Sequence, residues 1–188
     1  MRIAIIVGST RPGRKGSSVG QWVHEHAVGR EGKHDVHYDL IELADQGLPL
    51  LDEAVDAGAA DRDYERASTR AWSRLVDGYD GFVFVTPEYN HGVPAAMKNA
   101  VDLLYPEWNN KAVGFVGYGF DGGTRAVEQW RTILSAVVMF TVRSQVALQN
   151  FADFDGNEFI PQERRASALS KVLDQLEAAT AAVRTLRA

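Results

Sequence analysis

The chain has no cysteine among its 188 residues. That excludes disulfides, thiolate nucleophiles, dithiol redox chemistry, and zinc or iron–sulfur centres held by cysteine. Any redox function therefore requires a bound cofactor. Long hydrophobic runs are also missing, since none approaches the about 18 residues a membrane-spanning helix needs. The N-terminal apolar run from Ile3 to Val7 is short and precedes no small-residue cleavage site, so no secretory signal is expected. Positive charge is not in excess either. With a net charge of -5 and an isoelectric point near 5.5, a nucleic-acid partner is not expected, because neutralising phosphates needs grouped Lys and Arg. Repeats, low-complexity tracts and linkers are absent. A hydrophobic fraction of 45% with 24% charged residues is ordinary for a globular protein. The expectation is a soluble, cytoplasmic protein with no membrane partner, folded as one domain over residues 1–188.

What is present alternates between two periods. Arg2 to Val7, Gly81 to Thr86 and Lys111 to Tyr118 are short, continuous apolar runs, as strands covered on both faces require. His34 to Leu43 reads as a further strand, with Val36, Tyr38 and Leu40 on one face. A fifth strand falls somewhere within Val137 to Leu148. Between these runs lie helical stripes. Val19, Trp22, Val23, His26 and Ala27 form one, opened by a Ser18/Gln21 capping box and closed by Gly29 to Gly32. Tyr64, Ala67, Ala71 and Leu75 form the next, with Asp61, Asp63 and Glu65 in its first turn, where the helix dipole favours them. Val93, Met97, Val101 and Leu104 follow, with Pro94 at the first helical position. Val127, Trp130 and Leu134 mark another, and from Pro161 a last helix shows Leu169, Val172, Leu173, Leu176 and Val183.

The alternation implies a parallel sheet with right-handed crossovers and helices on both faces. The length suits a doubly wound five-stranded α/β sheet in the flavodoxin-like order 2-1-3-4-5, whose switch point lies between the first and third strands. The loops bordering that point are the distinctive ones. Gly8-Ser9-Thr10-Arg11-Pro12-Gly13-Arg14-Lys15-Gly16-Ser17-Ser18 is dense in glycine, hydroxyls and cations and runs into a helix start, which makes an anion site. It is neither a Walker A loop nor the dinucleotide Gly-x-Gly-x-x-Gly. After the third strand, Pro87 ends the ladder for want of an N–H, and Glu88-Tyr89-Asn90-His91-Gly92 makes a polar, aromatic turn. Gly119 to Gly123 forms a third, mobile-looking loop at the same edge. A phosphate end facing a wall of proline, tyrosine and amides has the shape of a mononucleotide-flavin site.

Other residues offer less. His24 and His26 point apart on a helix, and His34 and His37 have no third ligand in view, so no metal is expected. His91 could hand over a proton, although a plain loop histidine accounts for it as well. Ser9 lacks a hydrolase elbow around it.

Gly-Ser-Thr-Arg-Pro-Gly-Arg-x-Gly at positions 8–16, and Pro-Glu-Tyr-Asn at 87–90 before a helix containing Lys-Asn-Ala-Val-Asp, resemble the NADPH-dependent FMN reductases, a flavodoxin-like group that includes quinone, azo-dye and chromate reductases. The resemblance extends over the whole strand–helix order. It implies that Ser9, Arg11, Gly16, Ser17, Ser18 and Val19 hold the phosphate of FMN. Pro87, Glu88, Tyr89 and Asn90 would line the isoalloxazine, largely through backbone groups, and Gly117 and Gly119 would reach its other edge. Ser17-Ser18 stands where some members carry Asn or aromatic residues. The activity implied is transfer of hydride from NAD(P)H through FMN to a small-molecule acceptor, whether quinone-like, azo, metal-oxyanion or free flavin, with the cofactor rather than a side chain doing the chemistry. A single-electron carrier and a non-catalytic flavin-binding regulator are the rival readings. The chain lacks the Thr-x-Thr-Gly loop of flavodoxins and is less acidic than a docking carrier. A homodimer or homotetramer is expected, with Tyr105, Trp108 and Phe120 as an exposed aromatic contact cluster.

Overall fold

The computed structural model describes residues 1–30 and 35–187. Five parallel strands form the central sheet: β1 (Arg2–Val7), β2 (His37–Glu42), β3 (Gly81–Pro87), β4 (Ala112–Gly119) and β5 (Phe140–Gln149), in the order β2-β1-β3-β4-β5. A two-stranded hairpin, β6 (Phe154–Asp155) with β7 (Glu158–Phe159), stands beside it. The helices are α1 (Gly16–Val28), α2 (Ala57–Ala60), α3 (Ala67–Asp77), α4 (Ala95–Asp102), α5 (Thr124–Ala136) and α6 (Arg164–Val183).

The continuous apolar runs follow from the layering. Ile3, Ile5 and Val7 of β1 pack with Val19 and Val23 of α1 and with Leu173 and Leu176 of α6. Ala4 and Ile6, on the opposite face, join Trp72 of α3, Met97 of α4 and Trp130 of α5. Because both faces are covered, no position in β3 or β4 can carry a solvated side chain. Gly114 has a packing role here: a Cβ there would stand 2.8 Å from Val172 Cγ1.

Several expectations change in three dimensions. The ladder runs through Pro87, because Glu88 N–H still bonds Tyr118 O at 3.0 Å. Val85 and Pro87 face β1, where Val85 O accepts from Gly8 N–H and pairing then stops, so the missing donor costs nothing. Helix α1 starts at Gly16 rather than Ser18, and the capping box does not form. Ser18 Oγ instead donates to Lys15 O at 2.9 Å, and Gln21 Nε2 donates to Glu25 Oε1. The starting position belongs to Gly16 because a Cβ there would meet the Tyr118 hydroxyl at 2.7 Å. Gly29 caps that helix, while Gly32 lies outside the described residues.

Helix α3 begins later than expected and is rotated. Its buried residues are Thr69, Trp72, Ser73 and Val76, whereas Ala67 and Ala71 are exposed. The acidic group at its start is Glu53, from the preceding connection, which accepts from the N–H groups of Glu65 and Arg66 at 2.8 and 3.0 Å. A long-range carboxylate thus does what Asp61, Asp63 and Glu65 were expected to do. Strand β2 begins at His37, and His34 lies outside the described residues.

Trp108 is buried, not part of a surface cluster. Its ring lies 5.1 Å from that of Phe82, and its Nε1–H donates to Val101 O. Beside it the buried carboxylate of Glu107 accepts from Tyr64 at 3.0 Å and Ser73 at 2.5 Å. Strand β5 carries Arg143, Ser144 and Gln145 opposite a register shift in β4, and the Arg131 guanidinium donates to the carbonyls of Val142 and Arg143 there. A bulge filled by a long cation breaks the apolar period, which is why the sequence did not locate this strand. No helix among the described residues is long and apolar enough to cross a membrane.

Candidate active site at the carboxyl edge of the sheet

The loops after β1, β3 and β4 converge on one crevice of about 270 Å³. Ser9, Arg11, Pro87, Glu88, Tyr89 and Gly119 line it. They are joined by Arg14, Lys15 and Tyr118, and by Asn150 and Asn157 from the segment after β5. Parallel strands place all their carboxyl ends on this edge, and the reversal of strand order between β1 and β3 opens the gap.

The two sides meet through a short bond. Ser9 Oγ, almost fully buried, lies 2.7 Å from the Tyr89 phenol oxygen. The β1 end is cationic. Arg14 is held by Glu42 through Nε and Nη2, both at 3.0 Å. Arg11 stacks 5.9 Å from the centre of the Tyr89 ring, and the Lys15 ammonium lies 4.6 Å above the Phe154 ring. Helix α1 opens there with no side-chain cap and no acidic residue in its first turn, so its leading amides keep the partial positive charge of a helix start.

Tyr118 completes that end. Its side chain is buried, and its hydroxyl makes no hydrogen bond among the described residues. Burial first, then the neighbouring Tyr89 phenol, push its ionisation well above the ordinary phenol range, while the nearby Ser9 hydroxyl acts the other way. The group stays a neutral donor at any physiological pH. A buried unpaired hydroxyl is costly unless a ligand completes it.

The β3 side is rigid. Tyr89 and Gly92 exchange two backbone hydrogen bonds of 3.1 and 2.9 Å, with Asn90 and His91 both at positive φ, +50° and +65°. This is the geometry of a type I′ turn made without glycine at its centre. The Glu88 carboxylate accepts from the N–H groups of Arg125 and Ala126 at 2.9 and 3.3 Å, capping α5. The β4 loop is packed rather than open. Gly122 and Gly123 are buried, and a Cβ on Gly123 would reach 2.6 Å from Tyr118 N. Only Phe120 and Asp121 of this loop are exposed, and its glycines permit close approach to β4.

Of the remaining residues singled out in the sequence, Gly16 lies behind the crevice against Tyr118, and Gly117 sits beneath the β4 loop. Ser17 and Ser18 belong to the first turn of α1, where the Ser18 hydroxyl is engaged with Lys15. Val19 is core, and its N–H already bonds Lys15 O. Asn90 is exposed at the tip of its turn. Sequence reasoning passed over Arg14 and Lys15 inside a loop it had marked, and over Tyr118, a phenol ending an apolar strand, which was a readable signal. Asn150 and Asn157 carried none, since they reach the crevice only through the placement of β5 and the β6–β7 hairpin.

The strand order and the crevice at its switch point define a flavodoxin-like domain. The chain belongs to the NADPH-dependent FMN reductase family, whose model matches residues 1–153. It is 37% identical over 153 residues to an NAD(P)H-dependent FMN reductase of Nectria sp, covering 80% of this chain and 76% of the relative. An NADPH azoreductase of Bacillus sp. (strain OY1-2) is 28% identical over 159 residues, with 83% and 81% covered. Among solved structures, the flavoenzyme NAD(P)H:(acceptor) oxidoreductase FerB of Paracoccus denitrificans superposes with a TM-score of 0.68 at 21% identity, over 95% of this chain and 96% of that one. The protein is thus an oxidoreductase that uses FMN with NAD(P)H as reductant. The crevice fits that cofactor: the uncapped helix start, the cations and the orphaned Tyr118 hydroxyl suit a phosphate monoester.

Proposed function

We propose that the crevice holds FMN with its phosphate at the α1 end and its ring against the loop after β3, and that electrons pass from NAD(P)H to a planar conjugated acceptor of the quinone or azo kind. The observation that carries the site assignment is the buried, unpartnered Tyr118 hydroxyl beside Arg11, Lys15 and the open start of α1. Ser9, Arg11, the amides of Gly16, Ser17 and Ser18, and the Tyr118 hydroxyl would bind the phosphate. Backbone groups of Pro87 to Asn90 and of Gly119 would bound the ring. Bound FMN supplies two-electron transfer between a nicotinamide and an acceptor; the polypeptide supplies position and electrostatics. Pro87 and the buried Pro94 restrict their own φ and the residues before them, which keeps the ring-side loop from reorganising and favours two-electron over one-electron exchange.

The acceptor class draws support from the azoreductase relative and from the opening of the crevice to solvent. A metal-oxyanion or a free flavin would use the same access. We also propose a homodimer or homotetramer. Leu50, Leu51 and Val55 are exposed on the connection after β2, and Phe120 and Phe151 form an exposed edge-to-face pair with ring centres 5.8 Å apart. A cytoplasmic location fits a cysteine-free chain.

Steady-state assays of FMN-loaded protein with NADPH test this reading. Oxidation of NADPH coupled to benzoquinone or an azo dye over many turnovers is the expected result. Turnover with ferricyanide but with neither organic acceptor would overturn the acceptor class. Tight FMN binding that is indifferent to both Arg11→Ala and Tyr118→Phe would overturn the site.

A further inference from the structure

Gln129 stands on the exposed side of α5, facing the turn after β3. Its Nε2 donates to the His91 carbonyl at 2.7 Å, and its Oε1 accepts from the Val93 N–H at 3.3 Å. These two backbone groups flank Gly92 and point the same way. A neighbouring strand would satisfy such a pair with the N–H and C=O of a single residue. No strand among the described residues runs there, and one primary amide supplies both functions.

The turn needs this support. Asn90 and His91 both hold positive φ without being glycine, a conformation that persists only where the surroundings over-determine it. The Tyr89–Gly92 backbone bonds close the turn on itself but do not fix its position relative to the sheet. Helix α5 does. It takes the Glu88 carboxylate on the N–H groups of Arg125 and Ala126 at the near end, and one helical turn later presents Gln129 to the far end. The turn is thus attached to a single rigid element at both ends.

We propose that Gln129 is a positioning residue, which sets the ring-side turn in register and thereby tunes both FMN affinity and the reduction potential of the bound flavin. Neither near-isostere replaces it. Glutamate keeps the acceptor for Val93 but sets a carboxylate against the His91 carbonyl, and methionine keeps the shape but neither hydrogen bond. The inference rests on the reading that this turn lines the flavin ring.

The test compares the full-length parent with Gln129→Met and Gln129→Glu, each with and without FMN. Because the side chain is exposed, both variants should fold with a Tm close to that of the parent when FMN is absent. The expected result is FMN binding about fivefold weaker in each variant, a shifted flavin midpoint potential, and faster hydrogen exchange at the Val93 amide. A structural role alone would lower Tm and leave affinity and potential where they were, and that outcome, or parental values of both in a folded Gln129→Met protein, would overturn the inference. The underlying reading fails separately: FMN would then bind the parent without protecting the amides of residues 88–93 from exchange.

Discussion

Ser9 Oγ and the Tyr89 phenol oxygen, 2.7 Å apart, join the loop after β1 to the loop after β3 across the crevice. The two residues come from neighbouring strands that are 80 positions apart in sequence. Their bond holds the two walls at a fixed separation before any ligand arrives, and Arg11 stacks on the same tyrosine. A double-mutant cycle of Ser9→Ala and Tyr89→Phe, read by urea unfolding of the FMN-free protein, should give a coupling of about 0.5–1.5 kcal/mol, the range of a net intramolecular hydrogen bond. Additive effects would mean that the walls are set independently.

Arg11 and Arg14 are near neighbours with opposite expected behaviour. Arg14 is engaged by Glu42, whereas Arg11 is exposed and, among the described residues, lies over the Tyr89 ring without an ion-pair partner. Arg11→Ala should weaken FMN binding by about 1.5–3 kcal/mol, the scale of a hydrogen bond to a charged group. Arg14→Ala should affect FMN less and chiefly loosen the loop against β2. Fluorescence titration of FMN into both variants decides the matter, and equal losses would count against the distinction.

Gly16 and Tyr118 share one space. A Cβ on Gly16 would lie 2.7 Å from the Tyr118 hydroxyl and 3.0 Å from Val7 Cγ1. Gly16→Ala should destabilise the FMN-free protein by about 1–3 kcal/mol through overpacking. Tyr118→Phe removes a hydroxyl that has no hydrogen-bond partner among the described residues, so it should leave FMN-free stability unchanged or slightly raised while weakening FMN binding. Combining the two should recover part of the Gly16→Ala loss. Thermal unfolding of the three variants checks this, and a fully additive double variant would remove the steric account.

Acid should release the segment after β5. Asp153 is fully buried. It accepts from Nε and Nη2 of Arg165 at 2.9 and 2.8 Å and from the N–H groups of Gln149 and Gln162. Burial alone would raise its pKa, but Arg165 and the backbone donors outweigh burial and hold it below the usual 3.8. A carboxylate depressed in the folded state contributes stability that is complete above the unfolded value, near pH 4, and is lost as pH falls through the folded one. Asp153→Asn, which strands a largely buried Arg165, should cost about 3 kcal/mol at pH 7 and remove this part of the acid dependence. Unfolding curves for parent and variant from pH 7 to pH 3 that stay parallel would contradict it.

Much of the architecture was local enough to read. β1, β3 and β4 are apolar throughout because each is covered on both faces, and α1, α4, α5 and α6 carry apolar stripes at helical spacing because each buries one face against the sheet. Element order then restricts the topology, and the strand order 2-1-3-4-5 is observed. That the β1 loop would border a crevice with Tyr89 was legible because glycines, hydroxyls and cations followed one strand directly and a polar, aromatic turn followed another.

Tertiary contact decided the rest, wherever one group's role depends on a partner far along the chain. Whether Trp108 faced solvent or core depended on Phe82 and Phe84, not on the polar link around it. The cap of α3 came from Glu53, and the bulge of β5 closed around Arg131. Tyr118 became an unpaired donor at the crevice only because Gly16 leaves room for its hydroxyl, and Gln129 took the place of a strand only because α5 lies beside the turn. Hydrophobic periodicity is written along the chain and survives any arrangement that buries it. The pairing of a polar group is not, because it is settled by which segments the completed fold brings within 3 Å or so of each other.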